Sequence, residues 1–491
     1  MAATSGYDCR GSVFRHVGSE RLMDANAALT SLWSMAGGAP DALDMLHMTD
    51  LARPLPSVFP VDVIAAASIA AQALAAAQLW RERTGRRQRV EVSGRRALAM
   101  FRSERYLRVD GRSPAELRSP ITGYFRAGDE RWIQLHANFP HHLAGILRVL
   151  QCDGERASVA RAIARWQAGE LDRRLADAGL CAALVRTPDE WRAHPQAAAI
   201  ASLPLFEIIR IGDAPPEPIG RGVAARRPLS GVRMLDLSRV IAAPVAGRTF
   251  AQHGAQVLAV GAAHLPNLLP LVIDNGRGKR SAQLDLRAPR ERDLLLDLVR
   301  DADVFLQAYR PGALAAFGLS PEALCALRPG LVQVTLSAYG HLGPWARRRG
   351  FDSLVQSATG IAWQEGQAAG LAQPGRLPCQ ALDHATGFLA AFGAMMALRR
   401  REREGGSWLV RVSLAQTGRW LQSLGLVQNG LAAPELGDDE VAPWLQTVDS
   451  PFGLVRAVAP VERMSLTPPR FDTPPVPLGT HAPAWLDASE R

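Results

Sequence analysis

Two stretches of the chain carry the same order of apolar and polar positions. From Phe59-Pro60-Val61-Asp62 an alanine-rich run leads to Arg81-Glu82-Arg83-Thr84-Gly85 and then to Arg89-Val90-Glu91-Val92-Ser93, where polarity alternates. Ala381-Leu382-Asp383 opens a second alanine-rich run, followed by Arg401-Glu402-Arg403-Glu404-Gly405 and Leu409-Val410-Arg411-Val412-Ser413. Each stretch predicts a helix of about four turns beginning just after the aspartate, a glycine turn and a short strand. The separations from aspartate to serine are 31 and 30 residues, so a single indel inside the helix relates them. Alanine-rich helices resemble one another by chance, but an aspartate, an Arg-Glu-Arg cluster and a Val-x-Val-Ser strand recurring in order point to an internal repeat.

The remaining pattern divides the chain further. Residues 118–211 read as a small α+β unit, with a hairpin from Tyr124 to Leu135 turning at Gly128-Asp129 and helices near 141–151, 156–167 and 169–178. Residues 212–230, rich in Pro and Gly, read as a linker. In 231–425, strands at 232–237, 256–260, 304–306 and 331–336 alternate with helices, the order of an α/β unit with a parallel sheet. Its ligands are expected beyond the carboxyl ends of the strands. Residues 426–491 are rich in Pro, lack a period, and read as an extended arm packed on the surface.

Length and composition narrow the class. At 491 residues, two or three domains are expected. The apolar share of 47% and charged share of 21% are those of an ordinary globular protein. A formal charge of +9 raises the question of nucleic acid, but the arginines are spread over the whole chain and no aromatic-basic motif accompanies them. Phosphorylated small molecules suit that charge equally well. Lys279 is the sole lysine among 56 basic residues. The five cysteines, Cys9, Cys152, Cys181, Cys325 and Cys379, are odd in number and form no Cys-x-x-Cys pair, against a disulfide framework or a zinc site. Met1 to Asp8 lacks a basic region followed by an apolar run, and no uncharged stretch approaches about 20 apolar residues, so neither secretion nor membrane insertion is expected. The expected location is cytoplasmic.

Three motifs carry candidate chemistry. Asn275-Gly276-Arg277-Gly278-Lys279-Arg280-Ser281 sets two glycines among three cations and a hydroxyl, a composition that brings backbone amides and charge close to phosphate. It lacks P-loop spacing, and a basic surface turn accounts for it equally well. The sole lysine favours phosphate contact, because ammonium and guanidinium are not interchangeable. Tyr309-Arg310-Pro311-Gly312 and Ser337-Ala338-Tyr339-Gly340 each follow an expected strand, where ligands bind in open α/β sheets, although Pro-Gly in that position is commonly only a turn. Asp383 ahead of its helix reads first as an N-cap. The same helix end would keep the carboxylate ionised and stabilise an oxyanion. His384 is either an acid-base group or structural. No Gly-x-Ser-x-Gly, metal-ligand spacing or dinucleotide fingerprint is present.

From residue 229 onward the order of motifs resembles the family III CoA-transferases, the group of formyl-CoA and carnitine CoA-transferases and α-methylacyl-CoA racemases. The matching runs are Gly231 to Ser238, Ala243-Pro244-Val245-Ala246-Gly247, Gly276 to Ser281, Tyr309 to Gly312, Ala338-Tyr339-Gly340 with Gly343-Pro344, and Phe351-Asp352. The family's catalytic aspartate falls on Asp383. Residues 25–225 look like a second, incomplete copy, with 1–117 corresponding to the second half of the large domain. Asp62 takes the aspartate position there, with Ala66 where Gly387 stands in the other copy, and reads as a structural N-cap.

The resemblance implies an α/β fold with an open, parallel, Rossmann-like sheet and a smaller α+β domain. It implies a CoA-transferase in which Asp383 accepts the acyl group and then CoA. Arg277, Gly278, Lys279, Arg280, Arg310 and Tyr339 are the expected CoA contacts. Acyl-CoA and a carboxylic acid are the implied substrates, with no permanently bound cofactor, no metal, no nucleic acid and no membrane. Members form interlocked dimers, so a homodimer or a pseudo-dimeric monomer is expected. Ala259, Gly261 and Ala316 stand where the family often has charged residues, and no glycine-rich lid is visible. Two other readings stay open: an acyl-CoA racemase or isomerase, disfavoured by Phe351 at the racemase histidine position, and a non-catalytic CoA-binding homologue.

Overall fold

The two alanine-rich runs form helices of equal length, Val61–Thr84 and Ala381–Glu404, in a computed structural model that describes residues 23–51, 54–114 and 118–486. Met1 to Asp8 and Cys9 lie outside the described residues. Each helix has 24 residues, or about 36 Å at 1.5 Å per residue, well beyond the expected length. Both continue through the Arg-Glu-Arg cluster and stop at a glycine with positive φ, Gly85 at 73° and Gly405 at 66°. They also begin earlier than expected, after Pro60 and Gln380. Asp62 and Asp383 therefore sit inside the first turn, and neither is the N-cap that the sequence led us to expect.

A helix that is apolar on all sides must be buried, and these two are buried against each other and the surrounding helices. By length and composition both could cross a membrane, yet their apolar windows are wholly enclosed by the protein. Small side chains let the axes approach. A Cβ at Gly387 would lie 2.3 Å from the Ala242 carbonyl oxygen, because helix Ala242–Gln252 crosses there. Gly387→Ala is expected to lower stability by roughly 1–3 kcal/mol through overpacking, read as a lower denaturant midpoint with an unchanged slope.

The central sheet has seven strands in the order Arg280–Gln283, Gln256–Gly261, Arg233–Leu237, Val304–Gln307, Val332–Ser337, Ser407–Ser413 and Phe206–Gly212. All pairs are parallel except the last, which is antiparallel. The architecture is thus mixed α/β with a mostly parallel sheet. Two strands escaped the sequence reading. Arg280–Gln283 has no β-branched or aromatic residue to announce it, and it begins inside the run read as a phosphate loop. Phe206–Gly212 is an edge strand ending where the Pro-rich linker begins.

The small unit has its own core. Strands Gly123–Arg126, Trp132–Leu135 and Ala182–Leu184 pair antiparallel, with helices Pro140–Leu150, Arg156–Ile163 and Ala168–Asp177 close to the expected positions.

The last segment differs from the expected arm. Leu445–Ser450 and Gly453–Val458 form a hairpin, and its second strand pairs with Arg108–Val109. Arg463–Met464 pairs with Val90–Ser93, which in turn pairs with Leu46–Thr49. Burial alternates along Gly453–Val458, with Val455 and Ala457 inside. Both ends of the described chain are therefore woven together around the long helices.

Candidate active site

The carboxyl ends of three adjacent parallel strands open into a cleft of about 1430 Å3. Its walls include Leu237-Ser238, Ala308-Tyr309-Arg310 and Leu336-Ser337-Ala338 from the sheet, and Phe139, His141, His142 and Cys181 from the small unit. Asp383 also lines it, from the first turn of helix Ala381–Glu404.

The backbone amides at that helix start need acceptors. Asp352, at the start of helix Asp352–Ala358, supplies them: its Oδ2 accepts from Asp383 N at 2.9 Å, and Leu382 N also donates to it. The amide of Gln356 donates to Asp352, while the Gln356 Oε1 accepts from Leu377 N at 2.9 Å. The anion capping this helix thus comes from another helix, which frees the Asp383 carboxylate for the cleft. Among the described residues no donor bonds that carboxylate. Asp383 is 8% exposed. Burial, then the charges of Asp352 and Glu104, push its carboxyl well above the usual carboxylate range. Burial also raises Asp352, to about 6, against the hydrogen bonds it accepts. Sequence reasoning noted Phe351-Asp352 as a motif and missed this role.

His384 faces away from the cleft. Its Nε2 lies 3.2 Å from Glu104 Oε2, and its ring stacks on Phe101 with centroids 5.4 Å apart.

The expected CoA contacts divide. Arg310 is exposed and lines the cleft. Arg280 and Lys279 line an adjoining pocket of about 600 Å3 that shares Phe139, Ser238, Arg239 and Val240 with the cleft. Lys279, however, is buried with Nζ bonded to Asp236 Oδ2 at 2.7 Å and to the Pro244 carbonyl at 2.8 Å. Arg277 is buried too, donating to Asp274 Oδ1 at 2.7 Å and the Val458 carbonyl at 2.6 Å. Gly278, at φ 75°, donates its N–H to the Thr473 carbonyl, and a Cβ there would meet Phe471 at 2.9 Å. Tyr339 is buried against Trp345 with ring centroids 5.0 Å apart and does not line the cleft. Arg277, Lys279 and Tyr339 thus differ from expectation: the donors of the first two are spent inside the fold, and the third is part of the core.

Other cations face the cleft. Arg239 and Arg349 line the cleft beside Arg310, and among the described residues none of the three pairs with a carboxylate. Arg239 donates to the Pro266 carbonyl at 2.8 Å, and Arg349 lies 3.2 Å from His142 Nε2. Burial, then the neighbouring His141 and Arg349, pulls His142 down to about 3, so its neutral ring can accept from the guanidinium. Arg348 also lines the cleft but is paired with Asp172. Three cations without counter-charge around a cleft whose floor is a buried carboxylate suit an anionic ligand with an electrophilic carbon. Among the described residues, no group of three or more His, Cys, Asp or Glu is placed to hold a metal ion.

The sequence model of CoA-transferase family III matches residues 1–204 and 229–450. The chain is 28% identical over 323 residues to the acetyl-coenzyme A transferase nodX of Hypoxylon pulicicidum, covering 62% of this chain and 54% of that protein. It is 33% identical over 231 residues to the probable fatty acyl-CoA transferase Rv3272 of Mycobacterium tuberculosis, covering 44% of this chain and 58% of that one. The crystal structure of Rv3272 in its orthorhombic form aligns at 33% identity with a TM-score of 0.37, over 40% of this chain and 58% of that chain. The chain spans about half the length of the curated relatives it matches. With the family model matched over most of its length, the chain belongs to CoA-transferase family III.

Proposed function

We propose that the chain moves CoA from an acyl-CoA thioester to a carboxylic acid, with Asp383 as the acyl-accepting carboxylate. The observation that carries this is the placement of Asp383: buried at the cleft, fixed at a helix start by Asp352, and without an internal partner of its own. An Asp383 oxygen attacks the thioester carbonyl, the C–S bond breaks, and CoA leaves as thiolate. The thiolate then attacks the aspartyl carbonyl of the mixed anhydride, releasing the first acid and leaving aspartyl-CoA. The acceptor carboxylate attacks that thioester to form a second anhydride, and CoA thiolate attacks its acyl carbonyl, regenerating Asp383. A carboxylate is a weak nucleophile, so positioning and exclusion of water must supply much of the rate. Arg239, Arg310 and Arg349 would hold the CoA phosphates, with the nucleotide end reaching the pocket of Arg280 and Asn275. A racemase is disfavoured because Phe351, stacked on His136 at 3.7 Å, has no exchangeable proton. Intact-mass detection of a CoA adduct on Asp383, after incubation with a panel of acyl-CoA compounds, tests the reading. No adduct with any donor, in protein that binds CoA, would sink it.

The nucleophile must be ionised, so transfer is expected to fall as pH drops through the apparent pKa values of the Asp352–Asp383 pair, which lie above those of ordinary carboxylates. Asp352→Asn keeps an acceptor for the Asp383 amide and removes the neighbouring charge. Its acid limb in a plot of kcat/KM against pH is expected at lower pH than in the native chain.

The repeated helix, turn and strand, and the family match in two segments, support a permuted and partly duplicated chain in which 1–117 is an incomplete second copy. In both copies the closing serine, Ser93 or Ser413, caps the next helix. Such a chain would build within itself contacts that other members make between subunits. Light scattering of the active protein is expected to give the monomer mass, and an obligate dimer would count against the idea.

A further inference from the structure

We propose that Glu104, supplied by the N-terminal segment, is a positioning residue for Asp383, acting through its contact with His384 and through its own charge. The inference rests on the reading of Asp383 as nucleophile. Glu104 belongs to the short helix Ser103–Tyr106, which lies in the incomplete copy and is 279 residues away from Asp383 in sequence. That turn is fixed from several sides. Ser103 Oγ donates to Asp274 Oδ2 at 2.5 Å, Arg102 Nε donates to the Pro378 carbonyl at 3.1 Å, and the Tyr106 hydroxyl donates to the Leu436 carbonyl at 2.9 Å. The Arg102 bond reaches the strand of chain that leads into the Asp383 helix. Glu104 then meets His384, the residue after the nucleophile, whose ring is clamped against Phe101. Glu104 and His384 are both buried, with side chains 8% and 1% exposed.

Apart from His384, the cations around this carboxylate are engaged elsewhere. On the helix and the turn packed against this corner, Arg248 and Arg277 are bound to Asp274. Arg102 is paired with Glu435, and Arg105 is exposed. Arg348, on the far wall, is bound to Asp172, while Asp352 is occupied by the two helix amides. The remaining cations, Arg239, Arg310 and Arg349, line the cleft itself, beside His142 and His141, whose pKa values burial lowers. Asp383 therefore stands between two carboxylates behind it, Asp352 and Glu104, and the guanidiniums of the cleft in front. Such an arrangement holds the nucleophile basic until an anionic thioester fills the cleft, and it makes the N-terminal segment part of the active site and not merely its support.

The test compares Glu104→Gln, which keeps shape and hydrogen-bonding capacity, with Glu104→Asp, which keeps the charge. The acid limb of kcat/KM for Glu104→Gln is expected to move down by roughly half to one pH unit, as removal of a nearby like charge requires, with CoA affinity unchanged. Glu104→Asp is expected to keep the native limb. If Glu104→Gln does not fold, Glu104→Ala replaces it: this variant also removes the charge, so the same downward move is expected. An unchanged limb in the folded variant, in a chain whose native form gives the Asp383 adduct, overturns the proposal. Absence of the adduct in the native chain overturns the reading of Asp383 instead, and the two failures are distinct.

Discussion

Asp383→Ala is expected to reduce CoA transfer by on the order of 10⁴-fold or more, the scale reached when the nucleophile of a covalent enzyme is removed, while CoA still binds. The split follows from the geometry. The cations available to a CoA ester, Arg239, Arg310 and Arg349, lie on the sheet's strand ends and the loop before Phe351, and none of them touches Asp383. The anchor of the helix start is Asp352 accepting a main-chain amide, which the substitution leaves in place. Asp383→Asn should be as inactive as the alanine variant, because an amide oxygen cannot form the anhydride. The stability outcome has the opposite sign from that of most buried substitutions. A carboxyl whose pKa is raised in the folded protein favours folding at pH below its unfolded value and loses that contribution as pH rises through its folded value. At neutral pH the native carboxylate opposes folding, so Asp383→Asn is expected to be at least as stable as the native chain. Isothermal titration with CoA, turnover with an acyl-CoA donor, and denaturant unfolding give the three readouts. A variant with native turnover would remove Asp383 from the mechanism.

Much of the fold was legible because each layer repeats a simple period. Strands 232–237, 256–260, 304–306 and 331–336 are apolar runs bounded by turn residues, and the structure has strands at all four. The hairpin of the small unit announced itself through Gly128-Asp129. The hairpin Leu445–Ser450 and Gly453–Val458 did not, since prolines on both sides masked the alternation Leu454-Val455-Arg456-Ala457. At the site, Asp383 and Arg310 could be found from position alone: one opens a helix, the other follows a strand. Arg277 and Lys279 could not be judged that way. Their sequence neighbourhood is glycine-rich and basic, as a phosphate loop would be, but a strand begins at Arg280 and turns both side chains inward onto Asp274 and Asp236. A buried pair is a property of two distant segments, and no local pattern contains it. For the same reason Arg239, Arg349 and Asp352 were missed as site residues, and Glu104 was invisible until the two ends of the chain were seen to meet.

Asp274 is where that meeting is most exposed to a single change. Its side chain is 1% exposed and accepts from Arg248 Nη1 at 2.8 Å, Arg277 Nη2 at 2.7 Å and Ser103 Oγ at 2.5 Å. Burial alone would raise its pKa, but the two guanidiniums and the hydroxyl hold it down, at about 2. Asp274→Ala leaves two buried guanidiniums facing each other without a counter-charge and releases Ser103 of the N-terminal segment. Breaking a buried pair from one side costs about 3–5 kcal/mol, and denaturant unfolding of the variant is expected to show a loss of that size. The native contribution is present above the unfolded carboxyl pKa, near about 4, and disappears as pH falls from there through about 2. The difference between native and variant stability should therefore shrink over that interval and not at neutral pH. A loss below about 1 kcal/mol at pH 7 would mean that water reaches Arg248 and Arg277, and that the N-terminal segment is held by its apolar packing alone.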